Sequence, residues 1–272
     1  MSSGMGENQA EAKILAIANQ KGGVGKTTTS VNLAASLAET GQRVMLVDMD
    51  PQGNSTMGSG VNKSGLALSV YELLTGRTEL DAVLLCPDQA QYELLPANGD
   101  LVAAEVELIN LPQRETRLRH LTHSVRRRYN FILIDCPPSL NMLTVNALVA
   151  ADGVVIPMQC EYYALEGLSA LMETIGAIKQ QINPELRIEG ILRTMYDPRN
   201  KLTAEVNKQL FDHFGDTVYR TVVPRNVKLA EAPSFGKPAI SYDRQSRGAI
   251  AYLALAGEML RRHDQAVNLS QK

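Results

Sequence analysis

The chain has 272 residues, 44% of them apolar, and a formal net charge of −2 at pH 7. A chain of this size and composition can bury one large hydrophobic core without disulfides or structural metals. Because the net charge is close to zero, binding to nucleic acid would have to come from a local cluster of cations. No segment approaches the ~20 uncharged apolar residues that a membrane-spanning helix needs.

The cysteines indicate a reducing compartment, and the rest of the chain indicates a single domain. The chain contains three widely spaced cysteines, Cys86, Cys136 and Cys160. Their odd number and lack of metal-ligand spacing are typical of a reduced, cytosolic protein. Residues 1–12 lack the apolar middle of a signal peptide and are expected to form a flexible leader. Residues 13–263 contain no linker-like stretch and are expected to form one domain, followed by a polar tail over 264–272.

Short apolar runs alternate with longer helical patterns, which predicts parallel β-α-β units. Strands are predicted over residues 13–19, 43–48, 92–95, 130–135, 153–158, 187–194 and 217–223. Helices are predicted near residues 26–39, 98–109, 111–128, 139–151, 164–182, 200–213 and 246–263. Runs such as ILAIA and FILI show little alternation of apolar and polar residues, as expected for strands covered on both faces. The predicted fold is one α/β domain with a doubly wound, mainly parallel sheet flanked by helices.

The last predicted helix, 246–263, carries an apolar stripe. Ile250, Leu253 and Leu260 fall on one side of it. We therefore expect the helix to dock on the core through these three side chains.

The segment NQKGGVGKTTTSVN, residues 19–32, follows the first predicted strand and opens the first predicted helix. It nearly matches the phosphate-binding loop G-x-x-x-x-G-K-[ST], with GKT at 25–27 as the second half of the pattern. The position of the first glycine holds Gln20, and an additional lysine, Lys21, stands beside it. A loop that already has its phosphate lysine thus carries a second one five residues earlier.

This strand–loop–helix context predicts a nucleotide site. Glycines let backbone N–H groups turn inward around phosphate oxygens, and the helix N-terminus adds partial positive charge. The Lys26 ammonium is expected to reach the β- and γ-phosphates, the Thr27 hydroxyl to ligate Mg²⁺, and Thr28 to touch the α-phosphate. The expected nucleotide contacts in the loop are Gly22, Gly23, Val24, Gly25, Lys26, Thr27 and Thr28, whereas the pattern gives no role to the additional Lys21.

Carboxylates follow two further predicted strands, at the edge of a parallel sheet where open α/β folds place ligands. Asp48 and Asp50, in VDMDPQGN, could orient an attacking water or complete the shell of a metal, or could simply cap the Pro51 turn. Asp135, in NFILIDCPPS, has the hydrophobic-strand-plus-Asp arrangement that holds Mg²⁺ through water in P-loop enzymes.

Five blocks together resemble the ParA/Soj family of bacterial chromosome-partitioning ATPases, within the deviant-Walker P-loop class that includes MinD. The blocks are KGGVGKTT, VDMDPQGN, DCPPS, QCEYYALEGL and PRNVKLAEAPSFGKP. The similarity runs from about Lys13 to Arg262, without the additional N-terminal helix-turn-helix region of the larger plasmid-type proteins. It implies an ATPase that uses ATP and Mg²⁺ and works as a nucleotide-sandwich homodimer.

The resemblance assigns roles to particular residues. Lys21 would reach across the dimer to the phosphates held by the other subunit, and Gly22 would lie where the two backbones approach closely. Asp50 would be needed for hydrolysis but not for ATP binding. Pro224 and Asn226, in VVPRNV, would contact the adenine, although a simple proline-led turn is the competing interpretation.

The same resemblance implies non-specific binding of the ATP dimer to double-stranded DNA. The candidate cations are Arg199, Lys201, Arg225 and Lys228. Each of them could equally be a solvated surface residue, and no recognition-helix motif is present, so backbone contacts should dominate. A ParB-type centromere-binding partner would stimulate a weak basal ATPase, and the protein would be associated with the nucleoid.

Two other functions remain open at this stage. A MinD-like membrane switch would end in a basic amphipathic anchor, whereas this chain ends in the polar HDQAVNLSQK. A metabolic P-loop enzyme would have a substrate pocket and brisk turnover without any DNA or protein partner.

Overall fold

The computed structural model describes residues 11–270. Most of the predicted leader over 1–12 and the last two residues of the predicted tail therefore lie outside the described residues. Seven strands form one sheet: β1 Lys13–Ile17, β2 Val44–Asp48, β3 Glu93–Leu95, β4 Phe131–Asp135, β5 Gly153–Gln159, β6 Arg187–Tyr196 and β7 Val218–Pro224. Their order is β3-β2-β4-β1-β5-β6-β7, and all neighbours run parallel. The predicted fold class is confirmed.

Both faces of the sheet are buried, as the unbroken apolar runs predict. All five residues of β1 are buried, and they alternate between two hydrophobic clusters. Ile14 and Ala16 belong to the cluster on one face, whereas Leu15 and Ile17 belong to the cluster on the other. Each fully buried aliphatic side chain contributes roughly 2 kcal/mol to the hydrophobic stabilisation.

Helices cover both faces and connect the strands. Their bounds are α1 Lys26–Glu39, α2 Asn54–Gly58, α3 Val70–Thr75, α4 Leu80–Val83, α5 Leu101–Glu107, α6 Arg117–Ser124, α7 Met142–Ala150, α8 Ala164–Gln181, α9 Lys201–Phe214, α10 Val227–Glu231, α11 Ala239–Tyr242 and α12 Arg247–Ser270. The predicted helices 98–109 and 111–128 are shorter than expected, because 3₁₀ turns follow at Leu108–Asn110 and Arg126–Arg128. The sequence reading missed α2, α3, α4, α10 and α11, which are too short to show a helical period.

The last helix docks on the core as predicted, and Leu260 packs against the buried cluster, but the prediction is wrong for Ile250. Ile250 is 55% exposed, and α12 packs on α1 and β7 through a different stripe. The buried stripe consists of Ala249, Tyr252, Leu255, Ala256 and Met259. The helix also continues past the predicted end at 263 and reaches Ser270.

The carboxyl ends of the parallel strands meet at one edge of the sheet. The loops after β1, β2, β4, β5, β6 and β7 therefore lie side by side there. The residues that the sequence marks as chemical lie at these strand ends, in the loops or in the helices that follow, so segments far apart in the chain come to one edge of the sheet.

Candidate functional site

The loop after β1 has a backbone that only glycine adopts easily. Gly23 and Gly25 have φ of +73° and +87°, and Gly25 is the N-cap of α1. A side chain at either position would be strained, whatever the space around it. These conformations let the loop close over the first turn of α1, so that its backbone N–H groups surround the helix N-terminus. This is a cradle for phosphate groups.

Lys26 lies within this cradle. Its side chain is 7% exposed, and its Nζ donates a hydrogen bond to the Lys21 carbonyl oxygen at 3.2 Å. Burial lowers the pKa of the Lys26 ammonium, while the nearby charges of Asp135, Cys136 and Asp50 act in the opposite direction. Lys26 forms no ion pair within residues 11–270, and a buried ammonium of this kind is well placed to pair with an anionic ligand.

Lys21 faces away from this cradle. Its Nζ donates a hydrogen bond to Glu161 Oε2 at 2.6 Å, and the two side chains are 40% and 45% exposed. Glu161 follows β5 in the QCEYYALEGL block, and sequence reasoning gave it no role. The two lysines of the loop therefore have different environments: Lys26 is enclosed by the loop, and Lys21 stands on its rim.

Asp135 ends β4 with its carboxylate fully buried. It accepts hydrogen bonds from Ser30 Oγ at 2.9 Å and from Ser55 Oγ at 2.7 Å, and also bonds to the Thr27 side chain. Burial raises the pKa of this carboxyl, and the hydroxyl donors act in the opposite direction. Carboxylate and hydroxyl oxygens at the start of α1 are the hard ligands that suit Mg²⁺ and its waters.

The two carboxylates after β2 differ sharply. Asp48 is fully buried, and its Oδ2 accepts from the Thr56 backbone N at 2.8 Å and from Thr56 Oγ1 at 2.7 Å. Burial, followed by the charge of Asp135, raises the pKa of Asp48. Asp50 accepts from the Gln52 backbone N through Oδ1, and its Oδ2 has no hydrogen-bond partner among residues 11–270. Asp48 thus anchors α2, whereas one carboxylate oxygen of Asp50 has no partner among the described residues.

A cavity of about 400 Å³ opens directly beside the loop. Gly25 and Thr28 line it from the loop side, and Pro224 and Asn226 line it from the end of β7. The structure therefore brings the predicted phosphate residues and the predicted adenine residues to one continuous space. Asn226 also caps α10, because its side-chain oxygen accepts a hydrogen bond from the Leu229 backbone N at 3.3 Å.

Three further lining residues escaped the sequence reading. Tyr252 of α12 is buried, and its hydroxyl lies 3.1 Å from Thr29 Oγ1. Thr194 Oγ1 donates to the Val24 carbonyl oxygen at 2.8 Å, which ties β6 to the loop. Met195, next to it, has φ of +48°, an uncommon backbone conformation for a non-glycine residue. No local pattern marks any of them, since each matters only through its position in the fold.

The four predicted DNA-contacting cations all lie outside the core, but they do not form one cluster. Arg199 and Arg225 line a second cleft, whereas Lys201 does not. Lys228 bonds to Glu231 Oε2 at 2.9 Å and lies over the ring of Tyr242. Within the part of the chain that the structure describes, no helix is both long and apolar enough to cross a membrane.

Several known proteins are similar to this chain over most of its length. A family model described as an AAA domain matches residues 12–188. The sporulation initiation inhibitor protein Soj of Bacillus subtilis is 51% identical over 247 residues, which is 91% of this chain and 98% of that protein. The chromosome partitioning protein ParA of Myxococcus xanthus is 51% identical over 251 residues, covering 92% of this chain and 88% of that protein.

A solved structure extends the likeness to the whole fold. A crystal structure described as cobyrinic acid a,c-diamide synthase from Mycobacterium smegmatis, with bound ATP analog and magnesium, superposes with a TM-score of 0.83. It is 38% identical, and the match covers 94% of this chain and 97% of that one. Identity of this extent to partitioning proteins, over nearly the full length, is decisive for the family. The chain belongs to the Soj/ParA family of chromosome-partitioning ATPases.

Proposed function

We propose that this chain is a DNA-partitioning switch whose nucleotide-bound form is a homodimer. The observation that carries the proposal is the separation of the two loop lysines. Lys26 is enclosed by its own loop, whereas Lys21 is 40% exposed on the rim and pairs with the half-exposed Glu161. A cation on the rim can act on a nucleotide that a second copy of the chain holds.

ATP and Mg²⁺ are the proposed cofactors, and the residues present fit them. The backbone of residues 22–25 and the Lys26 ammonium would hold the phosphates, and Pro224 and Asn226 would flank the base in the adjoining cavity. Thr27 would ligate the metal directly and Asp135 through water, which suits its buried, hydroxyl-lined carboxylate. When bound, Mg²⁺ supplies charge neutralisation for the phosphate oxygens.

Hydrolysis needs a positioned water and a cation for the charge that grows on the phosphate oxygens. Asp50 would orient the water through the carboxylate oxygen that has no partner among the described residues. Lys21 of a second copy would supply the cation, in the role that an arginine finger has in other P-loop enzymes. Hydrolysis would then depend on dimer formation, and completed hydrolysis would let the two subunits separate.

The cellular role follows from this switch. The ATP dimer would bind double-stranded DNA without sequence preference, through cations that include Arg199, Lys201, Arg225 and Lys228, and would coat the nucleoid. A ParB-type, centromere-bound protein would stimulate the weak basal hydrolysis. A released monomer would have to exchange its nucleotide before it could bind DNA again. This delay would make the movement of the partner directional.

The decisive experiment is DNA retention measured with no nucleotide, with ADP, with ATP and with a slowly hydrolysed analogue. Retention with ATP and the analogue alone is expected on two unrelated duplexes. Binding to anionic vesicles with ATP, in the absence of DNA retention, would instead favour a membrane switch. A metabolic P-loop enzyme is the second alternative, because the similar Mycobacterium smegmatis protein is described as a cobyrinic acid a,c-diamide synthase. Brisk ATP turnover by the pure chain, unaffected by DNA, would favour that alternative.

A further inference from the structure

Two successive residues hold helix α2 to buried carboxylates at the ends of two neighbouring strands. Thr56 bonds to Asp48 of β2, and the Ser55 hydroxyl donates to Asp135 Oδ2 of β4 at 2.7 Å. Asp48 and Asp135 lie opposite each other in the register of the parallel sheet. The side chains of Ser55 and Thr56 are both fully buried. The proposed function uses Asp135 but gives Ser55 no part of its own.

The two anchors hold α2 from different sides. Thr56 Oγ1 also accepts a hydrogen bond from the Ala97 backbone N at 2.9 Å, so Thr56 ties α2 to β2 and to the segment after the edge strand β3. Within residues 11–270, the bond from Ser55 is the one that joins α2 to β4. Successive residues of a helix project about 100° apart, so two such anchors fix the rotation of α2 as well as its position.

The Asp135 carboxylate is in turn bonded to the helix that starts at the phosphate loop. Its Oδ1 accepts from Ser30 Oγ of α1 at 2.9 Å, and the Thr27 side chain bonds to the same carboxylate. One buried carboxylate therefore connects α1, on which the phosphate cradle is built, with α2. Ser55 is the α2 side of this connection.

The turn that carries Asp50 leads directly into α2. The Gln52 backbone N donates to Asp50 Oδ1 at 2.9 Å, and the Gly53 backbone N donates to the Asp50 carbonyl oxygen at 2.8 Å. Gly53 is the N-cap of α2, and a Cβ at this position would lie 2.7 Å from the Ala97 carbonyl oxygen. Because the turn is tightly bonded and closely packed, a rotation of α2 would displace the Asp50 carboxylate with it.

We propose that Ser55 is a positioning residue, whose bond to Asp135 holds the Asp50 carboxylate in place relative to the phosphate loop. The inference rests on the proposed function, in which Asp50 orients the attacking water. A displacement of about 1 Å at a reacting group can slow a reaction ~100-fold. No described residue of α2 lines the base cavity, so the loss of the Ser55 hydroxyl should act on kcat rather than on the affinity for ATP.

The first test needs no nucleotide. Amide hydrogen exchange over residues 49–54, measured by mass spectrometry, should be roughly fivefold faster in Ser55→Ala than in wild type, because the turn loses one of its anchors. Ser59→Ala is the matched control. It removes another buried hydroxyl, four residues later, which bonds to the Ser55 carbonyl oxygen at 2.7 Å and lies 2.6 Å from the Tyr92 hydroxyl. Exchange over 49–54 in Ser59→Ala should match wild type.

The second test is a double-mutant cycle on ATP hydrolysis. Ser55→Ala should lower kcat about tenfold and change KM for ATP by less than about twofold. In the Asp50→Ala background, the same substitution should change kcat by less than about twofold, because Ser55 acts through Asp50. Ser30→Ala removes the donor to the other oxygen of Asp135, but from α1. Its effect on kcat should therefore be the same with and without the Asp50 carboxylate.

Three results would overturn the inference. Exchange over 49–54 that is no faster in Ser55→Ala than in Ser59→Ala would show that Ser55 does not hold the turn. An equal loss of kcat in both Asp50 backgrounds would show that Ser55 acts without Asp50. A raised KM with an unchanged kcat would assign Ser55 to nucleotide binding. If Asp50→Ala hydrolyses ATP as fast as wild type, the proposed function fails, whereas the exchange measurement still decides whether Ser55 holds the turn.

Discussion

Lys21 Nζ donates a hydrogen bond to Glu161 Oε2 at 2.6 Å, so the ammonium proposed to act on a second copy is paired within its own chain. The two side chains are 40% and 45% exposed, which limits the value of the pair to roughly 1 kcal/mol or less. Lys21 has to leave Glu161 before it can reach another subunit. In the proposed dimer, the pair would therefore oppose closure by about this amount.

We expect Glu161→Gln to strengthen the ATP dimer by up to about fivefold, because the ammonium no longer has to leave a carboxylate. The gain in dimer affinity should become smaller as salt is added, because salt already weakens the Lys21–Glu161 pair in wild type. Sedimentation or light scattering at several protein concentrations measures it. Glu166→Gln, an exposed acid nearby on α8, should leave the dimer constant unchanged. A weaker dimer in Glu161→Gln would mean that the Glu161 carboxylate stabilises the closed dimer.

The two loop lysines should give separable phenotypes. Lys26→Ala is expected to lower ATP affinity by about 100-fold, since it removes a charge-assisted contact from an enclosed site. Lys21→Ala should keep measurable nucleotide affinity but fail to form the dimer. Equilibrium nucleotide binding and light scattering distinguish the two. Normal ATP-dependent dimers of Lys21→Ala would refute the role proposed for the rim lysine.

Gly22 offers a test of close approach between subunits. A Cβ added at Gly22 would meet no atom of its own chain within 4 Å, and its φ is not in the left-handed region. Gly22→Val should therefore change the free energy of unfolding by only about 0.5 kcal/mol, yet block dimer closure. Gly25→Ala is the contrasting variant, because φ of +87° should cost it about 1–3 kcal/mol. A Gly22→Val chain that still dimerises would remove the argument for backbone contact.

Asp50→Ala should slow hydrolysis about 100-fold without preventing ATP binding, because it removes the carboxylate that we propose to orient the water. The ATP dimer should consequently persist on DNA. Phosphate release and the lifetime of DNA retention after dilution measure the two effects. A variant that stays monomeric with saturating ATP would show instead that Asp50 is needed for assembly.

His263 should make the stability of the folded chain depend on pH. Burial, followed by the charge of Lys13, lowers the pKa of its imidazole, and the ring packs edge-on against Phe131. The unfolded chain then takes up a proton first, so this residue destabilises the folded state as pH falls below about 6.5. The loss of Tm between pH 7.5 and 5.5 should be smaller in His263→Gln than in wild type. The same substitution at the exposed His120 serves as control, and equal losses in all three proteins would contradict the prediction.

Much of the fold could be predicted because its signals are local. Each of the seven strands begins and ends within two residues of its predicted bounds, since a strand buried on both faces needs a continuous apolar run. The phosphate loop could be recognised for a similar reason: its glycines, lysine and threonine act through their own backbone and the adjoining helix. The short helices left no such signal, except that α3 begins with the capping box Ser69–Glu72, which the sequence does display.

Other features depended on which segments the sheet brings together. Asp48 and Asp50 look equivalent in the sequence, but the position of Thr56 turns the first into a buried anchor. Of the apolar stripe predicted for α12, Ile250 is exposed whereas Leu260 packs against the core, because contacts with α1 and β7 set which side of the helix is buried.

By itself, the sequence determined the strand–loop–helix unit, its phosphate chemistry and the family. Only the tertiary structure decided that Lys21 pairs with Glu161, 140 residues away, and that Arg247 joins Arg199 and Arg225 around one cleft. The physical reason is that such pairs depend on the order of strands in the sheet and on the packing of helices across it. The spacing of residues along the chain shows neither the strand order nor the helix packing.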